Sequence, residues 1–281
     1  MPGSDSSELR ELRVGIALSE LGRVTLRPTA RAVGPTRGRL EVLCDALSLA
    51  LDTKVRGQPC ELYTDLLAEL HWGTLHFAWL PPMIALRAVS RGSATPLVAP
   101  VRAGSAWYWT ALFVPEDSGV QRIEDLRRAR VAWVDHMSSA GYLVIRASLR
   151  AQGFDLEKLF GEEQFLASHD AVAQAVASGR ADVGATYAHF DDSGRVRSSG
   201  WGRAPMRVLK FAGPIPGDVL AASVHLPPEL SAAMKEAFLG EGHAEVKRAA
   251  DDLFNAVGFE EVTRDHLRHL ENLLNYVEIP G

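Results

Sequence analysis

Residues 131–185 read VAWVDHMSSAGYLVIRASLRAQGFDLEKLFGEEQFLASHDAVAQAVASGRADVGA, and their periodicity decides the fold class. Val131 to Val134 is a short apolar run followed by the polar turn Asp135–Gly141. A helix is predicted from about Gly141 to Gln152, with Gly153 as its stop. A strand near Glu163–Leu166, a helix from about Asp170 to Ser178 closed by Gly179, and a strand at Ala181–Ala185 follow. This is β-α-β-α-β. Parallel strands need crossover helices, so the class is α/β.

The same alternation extends outward. Upstream, strands are predicted at Leu12–Leu18, Leu75–Leu80, Pro96–Val101 and Trp107–Val114, with helices at Leu40–Leu51, Leu62–Leu70 and Met83–Ser90. Arg23 to Arg39 holds five arginines and reads as a solvated loop. A turn cluster at Pro115–Gly119 and a short helix at Ile123–Arg127 lead into the central stretch. Downstream, Asp191–Gly202 reads as a loop and Met206–Phe211 as a strand. After the rigid turn Gly213–Asp218 come a strand at Val219–Val224 and helices at Pro228–Leu239, His243–Val257 and Arg264–Tyr276.

Composition narrows the function classes. The chain has 281 residues, 47% hydrophobic and 23% charged, which is ordinary for globular proteins and sufficient for about two domains. Thirty Lys and Arg against 35 Asp and Glu give a net charge of −5, with no field that would hold nucleic acid. The longest apolar stretch, Thr74–Val89, is broken by His76, Pro81, Pro82 and Arg87, so no membrane span is expected. Met1–Arg13 shows no secretory signal, which predicts a cytoplasmic chain as it stands and a periplasmic one if a leader was trimmed. Cys44 and Cys60 have no metal-site spacing, and Cys44 reads as a buried free thiol.

Chemistry has few candidate places. The turn Asp135-His136-Met137-Ser138-Ser139-Ala140-Gly141 opens a helix, where free N–H groups and the helix dipole favour an anion. Ser138 and Ser139 add hydroxyl donors there, and Gly141 allows close approach; plain helix capping by a serine is the simpler reading of the same residues. Ser168-His169-Asp170 occupies a similar strand-to-helix turn. A Ser138, His169 and Asp170 triad lacks a G-x-S-x-G elbow. Trp107-Tyr108-Trp109, Tyr63 and Trp79 are core residues or walls of a cleft. His266 and His269, near Glu261, could bind a metal, but a solvated helix face is the expectation. Nucleotide, dinucleotide and zincin motifs are missing, so neither cofactor nor metal is expected.

The ordered series Tyr108-x-Thr110-Ala111-Leu112-Phe113-Val114, Asp135-x-x-Ser138-Ser139-Ala140-Gly141-Tyr142-Leu143, Ser168-His169-Asp170-Ala171-Val172, Gly179-x-Ala181-Asp182-Val183-Gly184-Ala185 and Pro214-Ile215-Pro216-Gly217-Asp218 resembles the phosphate/phosphonate ABC-transporter substrate-binding protein family. The resemblance implies a two-lobe, type II periplasmic-binding-protein-like α/β fold. Each lobe would be a mixed, mostly parallel sheet flanked by helices, with the ligand cleft between lobes. Residues 10–112 and 206–281 would form one lobe and 113–205 the other. It also implies that Ser138, Ser139 and the N–H groups of Ala140 and Gly141 grip an anion. Tyr63 and Tyr108 would come from the opposite lobe, and Asp170 would face the ligand's other end. Tyr142 and His169 complete the expected ligand-binding set. Family members commonly carry Ser-Thr-Ser-Gly at this turn, so Ala140 removes one hydroxyl donor, a loss expected to weaken anion binding or redirect anion choice.

The function expected from these features is non-enzymatic binding of a small oxyanion, phosphate or phosphonate in class. The chain would then be a monomeric solute-binding component that serves an ABC permease, or a ligand sensor. The alternative is a cytoplasmic enzyme on the same scaffold acting on a small carboxylate or phosphorylated metabolite, with Asp135, His169 or Asp170 as its acid or base.

Overall fold

A computed structural model describes residues 11–17, 36–191 and 193–274. Most of the Arg-rich stretch, the first ten residues of the segment read as showing no secretory signal, and the last residues of the final predicted helix lie outside them. The chain divides into two compact units: residues up to Pro100 with Asp218–Arg264, and Val101–Gly217 with the residues from Asp265 on.

The first unit contains β1 (Glu11–Ala17), α1 (Thr36–Ala50), β2 (Lys54–Cys60), α2 (Tyr63–Trp72), β3 (Phe77–Leu80), α3 (Pro82–Ser90) and β4 (Ala94–Pro100). The second contains β5 (Trp107–Pro115), β6 (Ala129–Trp133), a π-helical turn at Ser139–Leu143 that runs into α4 (Val144–Ala151), α5 (Leu156–Leu159), β7 (Phe160–Phe165), α6 (His169–Ala177), β8 (Val183–Phe190), β9 (Val196–Ser199) and β10 (Met206–Pro216). The chain returns to the first unit through β11 (Val219–Ser223), α7 (Pro228–Leu239), α8 (Ala244–Phe254) and β12 (Phe259–Glu261), and the described residues end in α9 (Arg264–Leu274).

The first unit's sheet has the order β12-β4-β11-β3-β1-β2. β1 lies parallel to both β2 and β3, while β11 runs antiparallel to β3 and β4. β1 and β3 are covered on both faces, which explains their nearly continuous apolar sequence. The spacing of Leu40, Leu43, Leu47 and Leu51 predicts one apolar stripe: Leu40, Leu43 and Leu47 are buried in one cluster with β1 and Trp79, and Leu51, one residue past the helix, packs against it partly buried; the Trp79 ring stacks on Phe254 of α8 at 3.7 Å. β2 escapes a sequence reading because KVRGQPC is polar and holds Gly57 and Pro59. As the outer strand of its sheet it tolerates both.

In the second unit the order is β10-β5-β8-β6-β7, with β9 pairing to β8. β6 is parallel to β7 and β8, and β5 is antiparallel to β8 and β10. Thus the predicted β-α-β-α-β forms the parallel part of this sheet. β9, which falls in the segment read as a loop, is a four-residue strand with two exposed residues and little apolar signal. The units part at Pro100 and Gly217, where the sequence expectation puts the crossings after 112 and 205. β5 and β10 pair over most of their length, so a boundary inside β5 would cut a continuous hydrogen-bonded ribbon.

Both cysteines are free and buried. Burial pushes the Cys44 thiol up to about 12, with Asp45 and Glu41 adding to it, and the Cys60 thiol up to about 11. Neither is a reactive thiolate at neutral pH. No helix among the described residues is long and apolar enough to cross a membrane.

On α8, the Asp251 Oδ1 atom is buried with no hydrogen-bond partner among the described residues. Burial, and behind it the Asp252 carboxylate, raises the Asp251 carboxyl above the usual range. A carboxyl raised by folding favours the neutral form, so its charge opposes folding once the pH climbs through the raised value. Asp251→Asn should therefore stabilise the protein at pH 7 by about 0.5 kcal/mol. The gain should vanish below about pH 4, where the carboxyl is neutral in both states. Urea melts of both proteins across that range check it, and a gain that persists at low pH would exclude the charge as its cause.

Candidate functional site

The second unit gathers its polar turns at one end. The C-terminal ends of the parallel strands β6, β7 and β8 lie together there, beside the N-terminal end of the antiparallel β5. In open α/β sheets this end is where ligands bind. The turns after β6 and β7 are joined directly, since the N–H groups of Leu166 and Ala167 donate to the carbonyls of Trp133 (2.9 Å) and Val134 (2.8 Å). Ala167 takes a left-handed conformation, φ 62°, to make this junction. That strain is uncommon for a residue other than glycine.

The serine turn is built by its own side chains. The Asp135 carboxylate accepts from the Met137 N–H (2.8 Å), and the Asp135 carbonyl accepts from the Ser138 N–H (3.2 Å). Ser138 Oγ then accepts from the Gly141 N–H at 3.0 Å. Leu143 and Val144 donate five residues back, to the carbonyls of Ser138 and Ser139, which makes the first turn π-helical rather than α-helical. The fully buried Thr110 on β5 donates its hydroxyl to the Ala140 carbonyl at 2.6 Å, fixing the turn to the sheet. Gly141 packs so closely on Val134 that a Cβ there would lie 2.6 Å from the Val134 Cβ.

This geometry sorts the predicted donors. Ser138 is the N-cap, as the simpler sequence reading has it, and Gly141's N–H is committed to that cap. Ser138 keeps its O–H as a donor. Ser139 is 6% exposed, and its hydroxyl makes no hydrogen bond among the described residues. The N–H groups of Ser139 and Ala140 start the helical run, so they have no acceptor within it. Among the described residues, no lysine or arginine takes part in the turn. Arg146, the nearest cation along the helix, is bonded to Glu163 at 2.6 Å and lies 4.8 Å over the Tyr142 ring.

The other predicted residues divide. His169 opens α6 behind the N-cap Ser168, and its Nδ1 is hydrogen-bonded to the Thr186 hydroxyl at 2.7 Å. Asp170 stands exposed in the first turn of α6. Tyr108 lies on β5, in the same unit as the serine turn. This corrects the expectation that it comes from the opposite lobe, and the β5–β10 ribbon is the reason. Tyr63 begins α2 in the first unit. Tyr142 packs its ring edge-on against Trp133 (5.6 Å), His136 (5.4 Å) and Phe165 (5.3 Å), a setting that accounts for it as packing. Two residues escaped the sequence reading: Tyr187, which makes an edge-on contact with His169 at 5.0 Å, and His189, whose ring lies 6.0 Å from Tyr108. The predicted strand stopped at Ala185, whereas β8 runs on to Phe190; Thr186 and Tyr187 are the β-branched and aromatic signal that would have extended it.

Among the described residues, no group of three or more His, Cys, Asp and Glu side chains is placed to hold a metal. His266 and His269 instead pack on Trp107, stacked at 5.1 Å and edge-on at 5.7 Å.

The model of the family described as "ABC transporter, phosphonate, periplasmic substrate-binding protein" matches residues 36–267. The chain belongs to that family. Its fold is that of periplasmic binding proteins, as three solved structures show. XAC2383 from Xanthomonas citri, bound to ATP, is 18% identical with TM-score 0.72, and the match covers 95% of this chain and 96% of that one. PhnD1 from Prochlorococcus marinus, in complex with methylphosphonate, is 17% identical with TM-score 0.70, covering 95% and 99%. The binding component of an ABC phosphonate transporter from Pseudomonas aeruginosa (PA3383) is 21% identical with TM-score 0.67, covering 94% and 85%. As a family member, the chain is a substrate-binding protein of the phosphonate ABC-transporter class.

Proposed function

We propose that the ligand is an oxyanion of the phosphonate or phosphate class, seated at Ser138–Gly141. The observation that carries this reading is Ser139: the residue is 6% exposed, its hydroxyl makes no hydrogen bond among the described residues, and it opens a helical run. Together with the Ser138 O–H and the leading N–H groups, it offers several neutral donors to one anionic head group. Tyr108, His169 and Asp170 stand at the same end of the sheet as further ligand contacts. Tyr63 is assigned to the ligand by the resemblance alone, and Tyr142 supports the turn from behind. PhnD1, a protein of the same fold, is complexed with methylphosphonate, which favours this ligand class.

The protein acts by binding and release, as a monomer that hands its ligand to an ABC permease. The enzyme alternative needs a nucleophile or an acid–base pair, and the turn's bonds serve other ends: Ser138 Oγ caps Gly141, and His169 Nδ1 holds Thr186. Ser139→Ala removes one charge-assisted hydrogen bond, so it should weaken binding about tenfold. Calorimetry with methylphosphonate, phosphate and sulfate measures this. An unchanged affinity would place the head group elsewhere.

A further inference from the structure

We infer that the ligand's substituent is a flat ring, making the preferred ligand an arylphosphonate or aryl phosphate ester; this rests on the head-group seat proposed above. Thr110 joins that seat to the sheet, its hydroxyl 2.6 Å from the Ala140 carbonyl. Directly across the ladder from Thr110 stands Tyr187. Paired positions on neighbouring strands share a face, so the Tyr187 side chain rises beside the serine turn. His189 lies two residues on, on the same face, with its ring 5.8 Å from Tyr187 and 6.0 Å from Tyr108. The His169 ring meets Tyr187 edge-on at 5.0 Å.

A run of four rings therefore borders the head-group seat, and all four are half-buried rather than sealed in the core. From Trp107 to Thr110 and from Tyr187 to Phe190 neither strand contributes a carboxylate, and Asp170, next to His169, is exposed in the first turn of α6. An aryl group completes the offset and edge-on contacts that these rings already make with one another. Two of the four are imidazoles, which makes the wall a poor cage for a cation.

Calorimetry on the full chain with phenylphosphonate, methylphosphonate, aminoethylphosphonate and a trimethylammonium-bearing phosphonate tests the inference. Phenylphosphonate should bind at least about tenfold more tightly than methylphosphonate, a difference of about 1.4 kcal/mol. In Tyr187→Leu the phenyl-to-methyl ratio should fall below about threefold; His189→Leu serves for the same reading if that variant does not fold. Methylphosphonate or either ammonium compound binding as tightly as phenylphosphonate would overturn this inference alone, as would a full phenyl preference surviving in the variants. No binding of any of the four would overturn the proposed ligand class with it.

Discussion

Gly141→Ala should abolish anion binding, weakening it by more than about a hundredfold, and should destabilise the second unit by about 2 kcal/mol. The added Cβ would lie 2.6 Å from the Val134 Cβ and 2.8 Å from Ser138 Oγ, with Val134 Cγ2 nearer still. Val134 cannot yield, because its Cβ branches directly from the backbone and its N–H donates to the Gly141 carbonyl at 3.3 Å. Overpacking of this kind costs roughly 1–3 kcal/mol. Relief requires moving the π-helical turn away from β6. That movement breaks the Ser138 cap and displaces the Ser139 hydroxyl and the leading N–H groups together, so the donors no longer converge. A displacement of about 1 Å is enough to lose most of a preorganised site's effect. Calorimetry with methylphosphonate, beside a thermal melt, reads both consequences. A variant that melts like the parent and binds like it would show that the turn is not the seat.

The second large effect belongs to the first unit. Trp79→Ala should cost about 3–5 kcal/mol, the usual penalty for emptying the space of a buried aromatic ring. Trp79 is 1% exposed, stacks on Phe254, and lies among the residues that join β1, β3 and α1. Trp79→Phe should cost less than half as much. The indole Nε1 is buried without an acceptor among the described residues, so a phenyl ring keeps part of the stacking and removes an unsatisfied donor. Equilibrium unfolding in urea separates the two variants. Equal losses would mean that the indole's volume alone matters and that the orphaned N–H carries no cost.

The main frame was legible along the chain. The β-α-β-α-β stretch reads correctly because β6 and β8 are buried and apolar and the crossover helices show apolar stripes, although the edge strand β7, FGEEQF, is mostly polar and exposed. Helices α2, α3 and α7 begin and end within a few residues of their predicted limits for the same reason. Elements that bury little left no such trace. Among the described residues β2 pairs only with β1, and its Gly57 and Pro59 imitate a loop; β9 is short and mostly polar. The serine turn stood out because a helix opening with small polar residues and glycine has few chemical uses.

What the sequence by itself determined is therefore the α/β class, the position of the serine turn and the family pattern that runs through it. The tertiary structure decided how each polar group is used. Ser138 and Gly141 satisfy one another while Ser139 stays available, a division set by π-helical bonding that no residue spacing specifies. It also set Tyr108 on the sheet that bears the serine turn and brought Tyr187 and His189 beside it, through the pairing of β5 with β10 and β8. Strand pairing joins residues far apart in the chain, and their register depends on long-range packing, which local periodicity does not encode.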